Sequence, residues 1–447
     1  MILVIGGGPA GLAAAVAIAR NGQEVTILDS APRAGGQYWR HRTRVDGYKS
    51  EKSAMYLQEV AQNPLIHFIS GANVWSASRV KDGFAINYLV SGNELTVTAQ
   101  KLILATGAFD RSLPFAGWDL PGVMTPGAAQ SLLKGHGVLA GRRVIVAGTG
   151  PFLLPVATGI AAAGGTVVGL YEAQSPLRWA LSPVALLLNP SKFAELLYYA
   201  KQVRKYRIRI QFGKGVTAFD THSAVVSRLS SDLEVVAGSE EKIECDVVAV
   251  GWGFTPDVTL GGILGCAQKV DLDGTVIFNV DQNQRSSQKD IWIAGEATGI
   301  GGSDLALVEG EIAGLDCVGI GISPSLAFRK IRKTLFARAL QKSYPVGNGW
   351  KKWSRNTTKI CRCEEVSLQD IADSVTDLGA FDSRTAKLFT RAGMGLCQGR
   401  ICSRNVSEIV AGLQGCQVSD NERIGYSNRP IATPISLGEL SDGKSTK

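Results

Sequence analysis

Four cysteines of this chain fall in two close pairs near its C-terminus, Cys361-Arg362-Cys363 and Cys397-Gln-Gly-Arg-Ile-Cys402. The second pair lies in a glycine-rich stretch, Gly393-Met-Gly-Leu-Cys-Gln-Gly-Arg400. Glycines there let backbone N–H groups approach bridging sulfides, and CxC followed by CxxxxC supplies the four thiolates of a [2Fe–2S] cluster. Four thiolates also make a tetrahedral zinc site. Zinc sites usually draw on CxxC pairs, so the spacing favours the cluster and leaves zinc as its rival. Arg362 and Arg400, beside the thiols, would offset the charge of an anionic cluster and raise its potential. The remaining cysteines, Cys245, Cys266, Cys317 and Cys416, are expected as buried small apolar residues. No CxxC or CxxxxC occurs upstream of residue 361, which excludes a dithiol–disulfide reductase mechanism.

A second chemistry-bearing pattern opens the chain. Gly6-Gly-Gly8-Pro9-Ala10-Gly11 follows an apolar strand at 2–5 and runs into an alanine-rich helix through Arg20; the next strand ends at Asp29. Gly6 allows the turn, Gly8 lets backbone meet a pyrophosphate, and Gly11 permits close helix–strand packing. The helix N-terminus adds partial positive charge, and Asp29 is expected to accept from an adenosine ribose. NAD and FAD both fit this fingerprint. Gly295-Glu296, at the end of the apolar run Ile291–Ala294 and followed by Gly299-Ile-Gly-Gly-Ser303, favours FAD. Glu296 would hold the ribityl and flavin end, and a helix starting near Ser303 would direct its positive end at the flavin C2 carbonyl. Gly35-Gly36-Gln37 is expected to line the same flavin, with Thr106 and Gly107 at the end of the strand starting at Lys101.

The fingerprint recurs in weakened form. Arg143–Ala147 reads as a strand, Gly148-Thr-Gly150 as its turn, and Thr166–Tyr171 as a second strand with Glu172 at the tip. The third glycine position holds Leu153, flanked by Pro151 and Pro155. Glu172 suits an unphosphorylated ribose and disfavours NADP. An adenine nucleotide (NAD, ATP or AMP) and a merely structural remnant stay open for this site; working hydride exchange with NAD(P)H is less favoured than either.

The elements needed to position these residues set the fold class: α/β, with two Rossmann-like dinucleotide-binding domains and a small helical C-terminal [2Fe–2S] domain. The expected boundaries are 1–112 with 246–325 for a discontinuous FAD domain and 113–245 for the second nucleotide domain. A helix and polar linker follow at 326–356, the cysteine domain at 357–417, and a C-terminal arm at 418–447. With 45% hydrophobic and 19% charged residues the chain is globular, and its 52 glycines suit tight βα turns. The net charge of +8 forms no nucleic-acid footprint and matches no nucleic-acid module, so nucleic acid is excluded as a partner. Arg329, Lys330, Arg332 and Lys333 lie on a helix whose other face carries Phe328, Ile331, Leu335 and Ala339. That basic face is either solvated or a dock for an acidic partner subunit. The histidines (41, 67, 136 and 222) sit in no motif and are read as structural or surface residues. No apolar run is long enough to span a bilayer, and Met1–Ile5 has no charged leader region. The expected location is cytoplasmic, with membrane association only through partners.

Residues 1–320 resemble the two-dinucleotide-binding flavoprotein oxidoreductases. Gly148-Thr-Gly-Pro-Phe-Leu-Leu-Pro155, Gly295-Glu-Ala-Thr-Gly-Ile-Gly-Gly302 and Cys361-Arg-Cys-Glu-Glu365 are together similar to a narrower group. It comprises the A subunits of opine (octopine and nopaline) oxidases, the B subunit of hydrogen cyanide synthase, and the alpha subunits of D-hydroxyproline and dye-linked proline dehydrogenases. Arg429-Pro-Ile-Ala-Thr-Pro-Ile435 resembles their C-termini, and the cysteine domain is similar to the bacterioferritin-associated ferredoxin type. The resemblance implies an FAD- and [2Fe–2S]-containing subunit of a heteromeric oxidase. Its partner would be a flavoprotein of the D-amino-acid-oxidase type that oxidises a C–N bond. It further implies FMN at a subunit interface, a small ferredoxin-like subunit, and a quinone or dye as electron acceptor. Two rival functions remain at this level: a self-sufficient NADH-dependent flavin and iron–sulfur reductase, and a non-catalytic redox-sensing module.

Overall fold

Short β-branched runs that end in glycine start both halves of the molecule, because a strand buried on both faces needs apolar side chains throughout. A computed structural model describes residues 1–40, 51–426 and 428–441. His41 and parts of the expected arm, 427 and 442–447, lie outside the described residues. The chain divides into two compact units.

The first unit takes residues 1–109 and 255–338, with 428–441 from the C-terminal end. Its five-stranded sheet is wholly parallel, in the order Ile291–Ile293, Lys101–Leu104, Ile2–Ile5, Val25–Asp29, Ile66–Ser70. The strand order reverses at Ile2–Ile5, the switch point where open α/β sheets bind ligands at their carboxyl ends. An antiparallel meander, Asn73–Val80, Gly83–Val90 and Asn93–Ala99, is inserted before Lys101. Two helices, Pro9–Arg20 and Ser303–Cys317, pack closely because both carry small residues at the crossing. A β-carbon on Gly314 would lie 2.4 Å from the Ala14 carbonyl oxygen.

The second unit takes 110–254 and 339–426. Its parallel sheet runs Ile210–Phe212, Thr166–Glu172, Arg143–Gly148, Val247–Gly251, Val123–Met124. Val247–Gly251, expected in the FAD domain, hydrogen-bonds instead beside Arg143–Gly148, so the second unit extends to Phe254. The cysteine segment and this sheet share one core, in which Trp118, Ile145, Trp252, Cys361, Cys402 and Ile409 are buried.

The stretch expected to be a polar linker is anchored in that core. Trp350 is fully buried, and Trp353 packs on Trp252 with ring centroids 5.2 Å apart while its indole N–H donates to the Leu233 carbonyl at 3.0 Å. Two tryptophans outweigh the surrounding lysines and asparagines, since each buries a large apolar surface. The helix Pro324–Ser343 departs from its expectation in part. Arg329 pairs with Glu311 at 3.3 Å, Lys333 pairs with Asp304 at 3.1 Å, and Lys330 donates to the Gln282 carbonyl at 3.1 Å. Phe328, Ile331 and Leu335 are exposed, as is Arg329, whereas Ala339 is buried. Cys245, Cys266 and Cys317 are buried, but Cys416 is exposed. It follows Gly415, whose φ of 68° turns the chain away at the end of helix Ser403–Leu413.

Candidate functional site: a dinucleotide cradle and a four-cysteine loop

Gly6 holds a φ of 106°, and a β-carbon there would meet the Ala105 carbonyl oxygen at 2.1 Å. Gly11 is equally constrained, since its β-carbon would lie 1.8 Å from the Gly6 carbonyl oxygen. Gly8, at the start of helix Pro9–Arg20, faces open space where a β-carbon would go. Those three facts describe a cradle with two walls of touching backbone and a floor left bare for a ligand. Pro9 sets the first helical φ without costing a helix hydrogen bond, and Ala10 is buried behind it. Gly36, with φ 59°, stacks on the same turn; its β-carbon would be 2.8 Å from the Gly8 α-carbon. Gln37 is exposed and accepts from Arg40.

Asp29 is buried at the strand tip, where its carboxylate accepts from the amides of Gly7 and, at 2.7 Å, Ala31. Burial pushes this carboxyl up, against the pull of those two amides. The turn after Lys101–Leu104 is tied down by the Thr106 hydroxyl, which donates to the Asp257 carbonyl at 2.6 Å, and by the Asp257 amide on the Gly107 carbonyl at 2.9 Å.

At the far end, Gly295 has φ 83° and packs against Ala10. Glu296 accepts from the amides of Gly302 at 2.8 Å and Gly301 at 3.2 Å, closing the turn that launches helix Ser303–Cys317. Burial pushes its carboxyl up to about 7 despite those amides. Sequence reasoning missed Glu309. From the buried face of that helix it accepts from the Gly295 amide and the Thr298 hydroxyl, each at 2.9 Å, so the turn is held from below as well. The available signal was an acid directly before Gly310 in an otherwise apolar run, Leu305–Val308.

The second fingerprint folds differently. Gly148 is fixed by a β-carbon clash of 1.7 Å with the Gly251 carbonyl oxygen, and Gly150 is open at φ 104°. Helix Leu153–Ala162 begins at Leu153, whereas the first-unit helix begins at Pro9, the counterpart of Pro151. The helix start is therefore withdrawn by one half-turn, because buried Leu153 cannot take the close backbone approach that Gly11 makes to Gly6. Glu172 is buried and turned into this loop. It accepts from the Thr149 hydroxyl at 2.9 Å and the amides of Gly150 at 2.8 Å and Gln174 at 3.0 Å, while burial pushes its carboxyl up to about 7.

In the cysteine segment the sulfurs of Cys363 and Cys397 stand 3.8 Å apart. That is about the edge of a tetrahedron built on metal–sulfur bonds of roughly 2.3 Å. The Gly393 amide points at the Cys361 sulfur at 3.4 Å. Cys361 and Cys402 are buried, Cys397 is half-buried and Cys363 exposed. The Cys402 thiol draws both Cys361 and Cys397 down toward the thiolate, the ligand form, and is itself pushed up by them. Gly395 is required because a β-carbon would lie 2.6 Å from the Cys363 sulfur. Arg362 stacks over Trp118 at 5.2 Å and Arg400 donates to the Cys397 carbonyl at 3.3 Å. Beneath the loop, Glu408 is buried among Arg404 at 2.8 Å, Arg423 at 3.5 Å and Arg111 at 3.7 Å. Burial alone would raise its carboxyl; the three guanidiniums hold it at about 2.

The family model for pyridine nucleotide-disulphide oxidoreductases matches residues 1–313. The chain belongs to that family. A BFD-like [2Fe-2S] binding domain matches residues 359–412, which include all four paired cysteines. The two matches imply FAD and a [2Fe–2S] cluster. Over 90% of its length the chain is 32% identical to the HcnB component of hydrogen cyanide synthase from Pseudomonas protegens, covering 89% of that protein. It is 31% identical to the A subunit of opine oxidase from Agrobacterium tumefaciens over 98% of this chain and 91% of that one. Among solved structures, the L-proline dehydrogenase from P. horikoshii superposes with a TM-score of 0.66 at 19% identity, over 98% of this chain and 78% of that one. These likenesses make the chain an oxidoreductase subunit of the flavin and iron–sulfur kind. Among the described residues no helix is long and apolar enough to cross a membrane.

Proposed function

We propose that this chain is the electron-transferring subunit of a heteromeric dehydrogenase or oxidase acting on a C–N bond. A partner flavoprotein of the D-amino-acid-oxidase type would oxidise an opine, D-hydroxyproline, proline or similar amino or imino acid. Each turnover of that kind releases two electrons, which this chain would pass on toward a quinone or dye. One observation carries the reading: a dinucleotide cradle with bare Gly8 and a loop of paired thiols occur in one chain. The subunit names of its relatives support it, since a protein working alone has no need of a lettered partner.

In this reading Gly6, Gly8, Pro9, Ala10 and Gly11 shape the pyrophosphate seat. Asp29 keeps lone pairs for the adenosine ribose, and Gly36, Gln37, Thr106 and Gly107 border the flavin. Glu296, held by Gly301 and Gly302, anchors the far end and carries a proton part of the time near neutral pH. Cys361, Cys363, Cys397 and Cys402 ligate the cluster. FAD would supply exchange between two-electron and one-electron steps, and the cluster the one-electron steps. The withdrawn helix start at Leu153 speaks against NAD(P)H exchange at Gly148, Gly150 and Glu172.

Purification tests this directly. The chain carrying flavin and iron should oxidise neither opine nor proline alone and should gain turnover when recombined with the substrate-oxidising partner. Robust turnover by the isolated chain would overturn the division of labour.

A further inference from the structure

Between Glu172 and Ile210 the second unit carries three helical segments, Pro176–Leu181, Pro183–Leu187 and Ser191–Lys205. Among all their residues only Ala185 is buried. Leu177, Leu181, Val184, Leu187, Leu196 and Leu197 are each 57–80% exposed. Helices of about this length are marginal in water unless an apolar face packs against something. Ser191–Lys205 fully buries none of its side chains and packs on the core through half-buried Val203, so its exposed leucines mark an interaction site.

Charge says what covers it. Residues 176–209 hold seven Lys and Arg against one acid, Glu195, so this short stretch accounts for six of the chain's net eight positive charges. Lys201, Arg204, Lys205, Arg207 and Arg209 are all exposed. The exposed apolar side is built mainly from Leu and Val, with Phe193 and Tyr198 beside them. Exposed leucines bordered by a basic cluster are the composition of helices that lie in a bilayer interface.

We propose that Pro176–Lys205 is a lipid-binding element. It would seat this chain on an anionic bilayer surface, with the leucines among the acyl chains and Lys201, Arg204 and Lys205 at the headgroups. The inference is independent of the electron-transfer reading, since it concerns attachment and not redox chemistry.

Vesicle flotation of the purified full chain with its flavin tests it, using equal phosphatidylglycerol and phosphatidylcholine in one arm and phosphatidylcholine alone in the other. The chain should float with the anionic vesicles, and Lys201→Gln with Arg204→Gln should weaken binding roughly tenfold or more. Leu181→Glu with Leu187→Glu and Leu197→Glu should abolish flotation while flavin content and elution volume stay unchanged. No binding to anionic vesicles overturns the proposal, as does binding that ignores both sets of substitutions. So does a co-purifying protein that shields Lys192–Lys205 from trypsin and leaves the assembly unable to bind vesicles, because the face would then belong to a protein partner.

Discussion

A β-carbon on Gly310 would lie 2.0 Å from the carbonyl oxygen of Ala10, so helices Ser303–Cys317 and Pro9–Arg20 cross with their backbones in contact. The contact couples the pyrophosphate end of the cradle to the turn at Gly295 and Glu296. Glu309, one residue before Gly310, holds that turn. Gly310→Ala should therefore cost about 1–3 kcal/mol through overpacking and lower FAD retention. Flavin absorbance per chain after gel filtration reads the effect.

Gly36→Ala should act on the same site without touching the helices. The residue has φ 59°, and a β-carbon would press on Gly8 at 2.8 Å. We expect FAD affinity to fall at least tenfold with little change in the iron content of the cysteine loop. Flavin titration of the apoprotein alongside iron analysis separates the two.

Glu408 gives the second unit an acid-labile joint. Its carboxyl is held at about 2 against an ordinary value near 4.5, worth about 3 kcal/mol at neutral pH. A depressed carboxyl stabilises above its unfolded value, so this contribution is lost as pH falls from about 5 toward 2. Glu408→Gln should leave buried Arg111 and half-buried Arg404 and Arg423 without this anion and cost about 3–5 kcal/mol. Denaturant unfolding at pH 7 and pH 4 should show the larger gap between wild type and variant at pH 7.

Glu172 has the opposite sign. Its carboxyl is raised to about 7, so its neutral form is the one the fold prefers. Stability from this residue is complete below about 4.5 and declines as pH rises through 7. Glu172→Gln should flatten that decline between about pH 5 and 7, at the cost of the Gly150 amide bond. Unfolding midpoints across that window check the slope.

The parts legible in the sequence were those where residue type alone dictates geometry. Glycine at 6, 11 and 148 is forced by backbone contact, and the alternation of buried strands with helices predicted two nucleotide-type sheets. Composition misled where a few residues outweigh many. Trp350 and Trp353 turn a polar stretch into core, and ion-pair and carbonyl partners leave Lys330 and Lys333 of helix Pro324–Ser343 half-buried. Leu153 was visible as a departure, but its consequence, a helix that starts late, needed coordinates. Glu309 and Glu408 escaped because both lie on apolar helix faces whose burial shows only once the chain is folded, and one partner of Glu408, Arg111, is distant in sequence.

The account rests on inorganic iron held by four thiols. The most direct measurement is low-temperature EPR of the dithionite-reduced chain, prepared anaerobically and quantified for metal. A rhombic signal with about two irons per chain is predicted, lost in Cys361→Ser. One zinc per chain and no signal would contradict it.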